Sequence, residues 1–412
     1  MRTVHELAED ACRAKSQIAG ADGSLKDAVL FGIAEKLRVC EQQILQANAE
    51  DIRNAEQSGL ASSFIERLTV NHARIEAMAK GAEDVARLKD PVGEVVWGST
   101  RPNGLQIVQK RVPLGVIAII FESRPNVTVD AAALCIKSGN AVILRGGKEA
   151  IRTNIVLARI IRSALKEQGL PEDCVCLVED TSRDSATSLM NQTGLVDLLI
   201  PRGGKGLIKA VVEGAKVPVI ETGAGNCHIY IDASGDLNIG YRIIENAKMS
   251  RPSVCNAAET LLVHSSVAGE FLPMVRDGFG RDCELRGCER TARVIAVKPA
   301  DENDWYTEYN DYILAIRIVD SVDEAIAHIN KYNTKHSECI VTESIESARR
   351  FTEQVDAAVV YVNASTRFTD GGEFGMGAEI GISTSKLHAR GPMGLQALTT
   401  TKYTVQGNGQ IR

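Results

Sequence analysis

Cys255 lies in the run Met249-Ser250-Arg251-Pro252-Ser253-Val254-Cys255-Asn256, a short polar segment between a helical pattern and a strand pattern. A thiol on such a loop can face a cleft. Arg251 and the loop's backbone N–H groups can stabilise its thiolate, the form that attacks an electrophile. The plain alternative is a small buried hydrophobe, the usual fate of a cysteine. Two other runs combine glycine with positive charge directly after strand patterns. They are Leu144-Arg145-Gly146-Gly147-Lys148 and Ile200-Pro201-Arg202-Gly203-Gly204-Lys205-Gly206. Glycine lets backbone N–H groups approach an anion, and a helix N-terminus adds its dipole. Either run alone reads better as a solvated connection, whereas two on consecutive strand ends suit a phosphate-bearing ligand equally well. Asn126 and Arg124, in Glu122-Ser123-Arg124-Pro125-Asn126, end another strand. An amide there can donate to an oxyanion or simply form a turn. Glu221, in Ile220-Glu221-Thr222-Gly223-Ala224-Gly225-Asn226, is either a general base or a hinge residue, and His388 reads as a structural loop residue.

Several chemistries are not expected. The seven histidines are scattered, and no Cys/His pair has zinc spacing, so no metal site is expected. No G-x-G-x-x-G opens a helix after the first strand, so a dinucleotide would have to bind without the usual pyrophosphate turn. With 47 basic and 53 acidic residues the net charge is −6, which disfavours a nonspecific grip on nucleic acid. No apolar run is long enough to span a bilayer. Residues 1–19 carry charges where a signal peptide would be apolar. A cytoplasmic chain with reduced thiols is the expectation, since ten cysteines in 412 residues are too sparse for a disulfide scaffold.

The elements that must position these residues follow from periodicity. Apolar spacing of three and four predicts helices over 5–19, 25–57 and 73–88. An Asn103-Gly104 turn predicts a hairpin near 100–112. From the apolar run at 115–121 onward, strands and helices alternate. Strands are expected at 141–144, 175–178, 196–200 and 218–220, with helices at 127–137, 151–168, 184–191 and 207–213. A second series runs through strands at 228–231, 260–263, 294–297, 313–319, 340–341 and 358–362, with helices at 237–249, 267–275, 322–330 and 345–353. Such alternation predicts parallel, doubly wound sheets, with ligands at the carboxyl ends of the strands. The glycine-, serine- and threonine-rich tail ends in an alternating run at 402–406 that could add a strand to a sheet edge.

The motifs together resemble the gamma-glutamyl phosphate reductase family, a branch of the aldehyde dehydrogenase superfamily, over essentially the whole chain. The most specific stretches are residues 112–117, 123–130, 137–149, 200–204, 251–256, 361–372 and 387–394. The resemblance implies an aldehyde-dehydrogenase-like α/β fold, with two doubly wound domains and a small β oligomerisation arm. It implies an NADPH-binding domain from 1–98 and 113–227 with part of 366–390, a catalytic domain from 228–365, and an arm from 99–112 and 391–412. It places Cys255 as nucleophile and Asn126 as oxyanion donor. Arg145, Gly146, Gly147 and Lys148 fall on the adenosine ribose of NADPH/NADP, Gly203 and Gly204 on the pyrophosphate, and Glu308 on the nicotinamide ribose. Arg124, Arg251 and Arg367 are assigned to the anionic groups of the substrate. The implied reaction reduces L-glutamate 5-phosphate to its semialdehyde through a Cys thioester, in proline biosynthesis. A homo-oligomer and a glutamate 5-kinase partner are also expected. Glu221 occupies the region of the water-activating Glu of oxidising relatives, and is expected to point elsewhere in a reductase. The alternatives are a relative that oxidises an aldehyde to an acid or acyl-CoA, and a non-catalytic dinucleotide-binding scaffold.

Overall fold

The computed structural model describes residues 2–412. The chain divides into two compact units. One comprises Met1–Thr222, Gly375–Gly381 and Met393–Arg412, and the other Gly223–Phe374 and Ile382–Pro392. The boundary expected between 227 and 228 would cut the strand Cys227–Ile231; the division falls instead between Thr222 and Gly223, ahead of that strand.

In the first unit, five helices precede the first strand: α1 (Val4–Gly20), α2 (Gly23–Val39), α3 (Glu41–Gln57), α4 (Ser62–Leu68) and α5 (His72–Arg87). A capping box between Thr3 and Glu6 starts α1, and Leu7, Ala8 and Ala11 pack it on Val116, Ala118 and Ile120 of the sheet. The single helix expected over 25–57 is two helices, because the chain turns at Cys40 (φ −91°, ψ 13°). Val39 and Cys40 are poor helix formers, and no cap signal marks the break. Helix α4, too short to show a period, was not expected.

Strands β1 (Val95–Thr100) and β2 (Gln106–Pro113) form the hairpin, which begins ahead of the expected arm boundary at 99. The C-terminal strand Thr399–Gln406 joins the free edge of β2, antiparallel, from Thr399 opposite Pro113 to Gln406 opposite Gln106. Beyond this arm come β3 (Val116–Phe121), α6 (Asn126–Lys137), β4 (Ala141–Arg145), α7 (Ile151–Glu167), β5 (Val175–Leu177), α8 (Arg183–Met190), β6 (Leu198–Arg202) and α9 (Lys205–Gly214). The four strands are parallel in the order β5-β4-β3-β6. All of β3 is buried, as a parallel strand covered on both faces requires. The order reverses between β3 and β6, so the ligand crevice belongs at their carboxyl ends. The strand expected at 218–220 is only a single bridge between Leu199 and Val219. Pro201 and Pro218 each withhold a ladder N–H there.

The second unit contains β7 (Cys227–Ile231), α10 (Leu237–Met249), β8 (Ala258–His264), α11 (Ser265–Phe279), β9 (Glu284–Gly287), α12 (Glu289–Ala292), β10 (Lys298–Pro299), α13 (Glu302–Tyr306), β11 (Ile313–Val319), α14 (Val322–Tyr332), β12 (Ser337–Val341), α15 (Ile345–Gln354) and β13 (Val359–Val362). Seven of its strands form one parallel sheet in the order β10-β9-β11-β8-β7-β12-β13, and the short strands Ile382–Ser383 and Gly391–Pro392 pair antiparallel apart from it. The strand expected at 294–297 is instead a turn, since Val294 and Ile295 both donate back to the Thr291 carbonyl. The edge position goes to β9 and β10, whose Glu284, Arg286 and Lys298 pair on the surface.

Candidate active site

In the second unit, Cys255 sits on the loop between α10 and β8 and is partly exposed. Its neighbour Asn256 is buried and anchors the loop from several sides. The Asn256 amide donates to the carbonyls of Arg367 (3.2 Å) and Thr369 (3.0 Å). The Asn256 carbonyl accepts from the Thr366 hydroxyl at 2.7 Å, and its side-chain oxygen accepts from the Arg367 guanidinium. Thr369 is held in turn by Ser337 (2.7 Å) and Tyr361 (2.9 Å). Behind Cys255, the Cys227 thiol donates to the Cys255 carbonyl at 3.3 Å. A Cβ at Gly225 would overlap that same carbonyl, so only glycine lets the two loop segments pass here. A fully partnered buried polar set of this kind fixes a backbone in one geometry.

The charges around the loop suit an anion. Arg367 also donates to the Ser250 hydroxyl at 3.3 Å, so it spans both ends of the Cys255 loop. Burial lowers its pKa, and repulsion from Arg251 lowers it further, while Cys255 and Asp370 act in the opposite sense. Arg251 and Arg367 therefore share one electrostatic neighbourhood with the thiol. Six other cysteines are buried. Burial pushes Cys174, Cys176, Cys283 and Cys339 up to about 12 and holds Cys135 and Cys227 well above the ordinary thiol value. Cys288 is lowered: its burial is outweighed by the Thr291 hydroxyl and nearby amides at the start of α12. Glu308 follows α13, and its carboxylate accepts from the Gly225 N–H at 2.6 Å. The second unit thus brings together Cys255, Arg251, Arg367 and Glu308.

The first unit gathers the remaining candidates along the carboxyl edge of its sheet. Asn126 is the first residue of α6, and its amide donates to Asp130 at 2.8 Å. Burial raises the Asp130 carboxyl to about 6, against the Asn126 hydrogen bond and the charge of Arg202. Arg124 is exposed on the same connection, which begins with Ser123 in the left-handed region at φ +44°. After β4, Arg145 is spent on the carbonyls of Thr181 and Ser182, both at 2.8 Å, while Lys148 is exposed. Gly146 and Gly147 are buried between them. After β6, Gly204 caps α9, and its N–H holds the Glu122 carboxylate at 2.9 Å. A Cβ at Gly203 would also strike Glu122. The α9 terminus therefore binds an anion already, one supplied by the chain itself. The exposed Lys148 cation and this anion-holding helix start, each at a strand end, fit a dinucleotide phosphate. Glu221 ends the first unit's main segment as an exposed residue, and His388 is exposed on the second unit. Among the described residues, no cluster of His, Cys, Asp and Glu could hold a metal ion. Among the described residues, no helix is long and apolar enough to cross a membrane.

With this geometry in view, the model of the aldehyde dehydrogenase family matches residues 2–280 and 291–404. This chain belongs to the aldehyde dehydrogenase family. Within that family it belongs with the gamma-glutamyl phosphate reductases. It is 57% identical to the gamma-glutamyl phosphate reductase of Carboxydothermus hydrogenoformans, covering 100% of both chains. It is 56% identical to that of Halothermothrix orenii, over 98% of this chain and 97% of the relative. The crystal structure of the gamma-glutamyl phosphate reductase of Thermotoga maritima superposes with a TM-score of 0.98 at 49% identity, covering 100% of each chain. The aldehyde-dehydrogenase-like fold expected from the motifs is thus the fold this chain has.

Sequence reasoning passed over several residues that shape the site. Asn256 stood beside Cys255 in the quoted run, yet its partners lie more than a hundred positions away, at 366–369. Glu122 stood beside Arg124 and Asn126, but a carboxylate was not expected where a phosphate should bind. Gly225 was read only as part of a glycine-rich boundary. Asp130 carried no signal beyond its spacing of four from Asn126 on a helix, which puts the two on one face.

Proposed function

We propose that this chain reduces L-glutamate 5-phosphate to L-glutamate 5-semialdehyde and phosphate, with NADPH as the hydride donor, in L-proline biosynthesis. The observation that carries this reading is the end-to-end identity of 57% with a protein named gamma-glutamyl phosphate reductase. The Cys255 thiolate attacks the acyl carbon. The carbon–oxygen bond to phosphate breaks, and the thioester and inorganic phosphate remain. The Asn126 amide, oriented by Asp130, is the oxyanion donor of this reading. Arg367, Arg251 and Arg124 hold the carboxylate and phosphate of the substrate as charge-assisted partners. NADPH supplies a hydride to the thioester carbon when bound. The resulting hemithioacetal alkoxide collapses with cleavage of the carbon–sulfur bond, releasing the aldehyde and returning the sulfur as thiolate.

Lys148 meets the 2′-phosphate, because Arg145 is engaged with Thr181 and Ser182 and braces the loop. Gly203, Gly204 and the start of α9 take the pyrophosphate, and Glu308 takes the nicotinamide ribose. The acyl phosphate must come from a glutamate kinase, whose labile product favours a partner close at hand. The arm, with exposed Trp97, Tyr403 and Val405 lining a groove, meets a second copy of this chain, so the enzyme is a cytoplasmic homo-oligomer. Light scattering checks this: Tyr403→Glu should lower the mass, and an unchanged mass would remove the arm from the interface.

The reaction is best tested in reverse. Semialdehyde, NADP and phosphate should form NADPH, and omission of phosphate should stop it. NADPH formed without phosphate would mean hydrolysis to glutamate, the reaction of an oxidising relative. Cys255→Ala should abolish turnover, and full activity in that variant would end the covalent mechanism.

A further inference from the structure

The Cys255 loop begins after Lys248, in the last turn of α10, and ends before Glu259, the second residue of β8. These two side chains form an ion pair of 2.6 Å and are both fully buried. The other Glu259 oxygen accepts from the Asn310 N–H at 3.1 Å. Asn310 stands in the left-handed region (φ +56°), two residues after Glu308. Glu308 accepts from the Gly225 N–H, and Gly225 lies against the Cys255 carbonyl. These contacts close a ring: the nucleophile loop, Gly225, the Glu308 turn, Glu259, Lys248 and back to the loop. The Lys248 ammonium also lies 5.9 Å from the centre of the Tyr309 ring, within the same turn.

A buried ion pair is a poor way to hold a core together. Desolvating two charges costs several kcal/mol, and apolar residues of similar volume do as well or better for stability. Burial indeed pushes the Glu259 carboxyl up to about 7, in spite of Lys248. The charges are retained here at the one place where three segments of the site converge.

We propose that Lys248 and Glu259 are positioning residues, which fix both ends of the Cys255 loop and bind the Glu308 turn to it, so that nucleophile and Glu308 keep one relative geometry. This rests on the reading of Cys255 as the nucleophile. The test uses the full-length enzyme in the reverse assay, beginning with wild type. If wild type forms no NADPH from semialdehyde, phosphate and NADP, the reading itself fails and takes the inference with it. If wild type is active, the double variant Lys248→Met/Glu259→Leu decides. It should fold, with kcat reduced ten- to a hundredfold, KM for NADP raised and KM for phosphate unchanged. Cys255 alkylation by iodoacetamide, followed by peptide mass spectrometry, should change rate by at least threefold. A folded double variant with kcat within threefold of wild type overturns the proposal, whatever its Tm. Should the double variant not fold, Glu259→Gln keeps the shape and removes the charge. For it, kcat below one third of wild type supports the proposal, and a higher value overturns it.

Discussion

Gly225 and Cys255 touch through their backbones: no side-chain carbon fits on Gly225 without entering the space of the Cys255 carbonyl oxygen. The same glycine donates its N–H to Glu308 at 2.6 Å. One residue without a side chain therefore sets the spacing between the peptide of Cys255, the proposed nucleophile, and the carboxylate proposed for the nicotinamide ribose.

Gly225→Ala should consequently displace the Cys255 loop or break the Glu308 contact. Forcing a methyl into a filled backbone contact costs about 1–3 kcal/mol. A kcat at least tenfold below wild type is expected, together with a fall in Tm. Steady-state kinetics alongside thermal unfolding checks this, and unaltered kcat would mean that the loop has room to spare.

Arg367 and Arg251 should differ in effect. Arg367 is half-buried and braces Asn256 and Ser250, whereas Arg251 is exposed. Arg367→Ala should raise KM for the glutamyl substrate tenfold or more, about 1.4 kcal/mol, and also reduce kcat through the loosened loop. Arg251→Ala should raise KM with kcat nearly unchanged. Kinetics at saturating cofactor separates the two, and equal effects would contradict the structural distinction.

Glu122 presents a carboxylate to the Gly204 N–H, where the proposed pyrophosphate would bind. The two anions compete for one donor. Glu122→Gln keeps an acceptor but removes the charge, so it should tighten NADPH binding severalfold, most clearly at low ionic strength. Fluorescence titration of bound NADPH measures it. Weaker binding would show that Glu122 helps to hold the cofactor.

Asp130 gives a pH signature. Its folded-state pKa lies near 6, above the ordinary carboxyl value, and burial is the largest cause. The folded state therefore holds the proton more tightly than the unfolded chain. Its contribution to stability is harmless below pH 4, worsens as pH rises from about 4 to 6, and is a constant penalty above that. Asp130→Asn should be more stable than wild type at pH 8, with the advantage gone by pH 4. Denaturant melts across this range would reveal a flat difference if Asp130 were not the titrating group. If Asp130 also orients Asn126, the same variant should lose kcat while gaining stability.

Much of the architecture was readable from local pattern alone. The apolar run of β3 announced a strand buried on both faces, and α10 and β11 follow their apolar spacing to the residue. Reading failed where a neighbour rather than the segment decides. Val294 and Val297 look like a strand, but the chain folds back on Thr291 there. The continuous helical pattern through 25–57 concealed a turn at Cys40, because both helices bury the same kind of stripe. The site followed the same division. Strand-end glycines and the Cys255 loop are local signals. The grip of Thr366 and Thr369 on Asn256 depends on residues brought together only by the finished fold.

The last strand, Thr399–Gln406, completes a sheet whose other two strands lie some three hundred positions earlier. On the ribosome, the hairpin of β1 and β2 emerges long before its third strand is made. For most of synthesis the nascent chain carries an unsatisfied edge beside Trp97 and its apolar neighbours, a template for wrong pairing. Closing that edge waits for a strand translated some three hundred residues later, so a variant lacking Thr399–Gln406 should aggregate during expression.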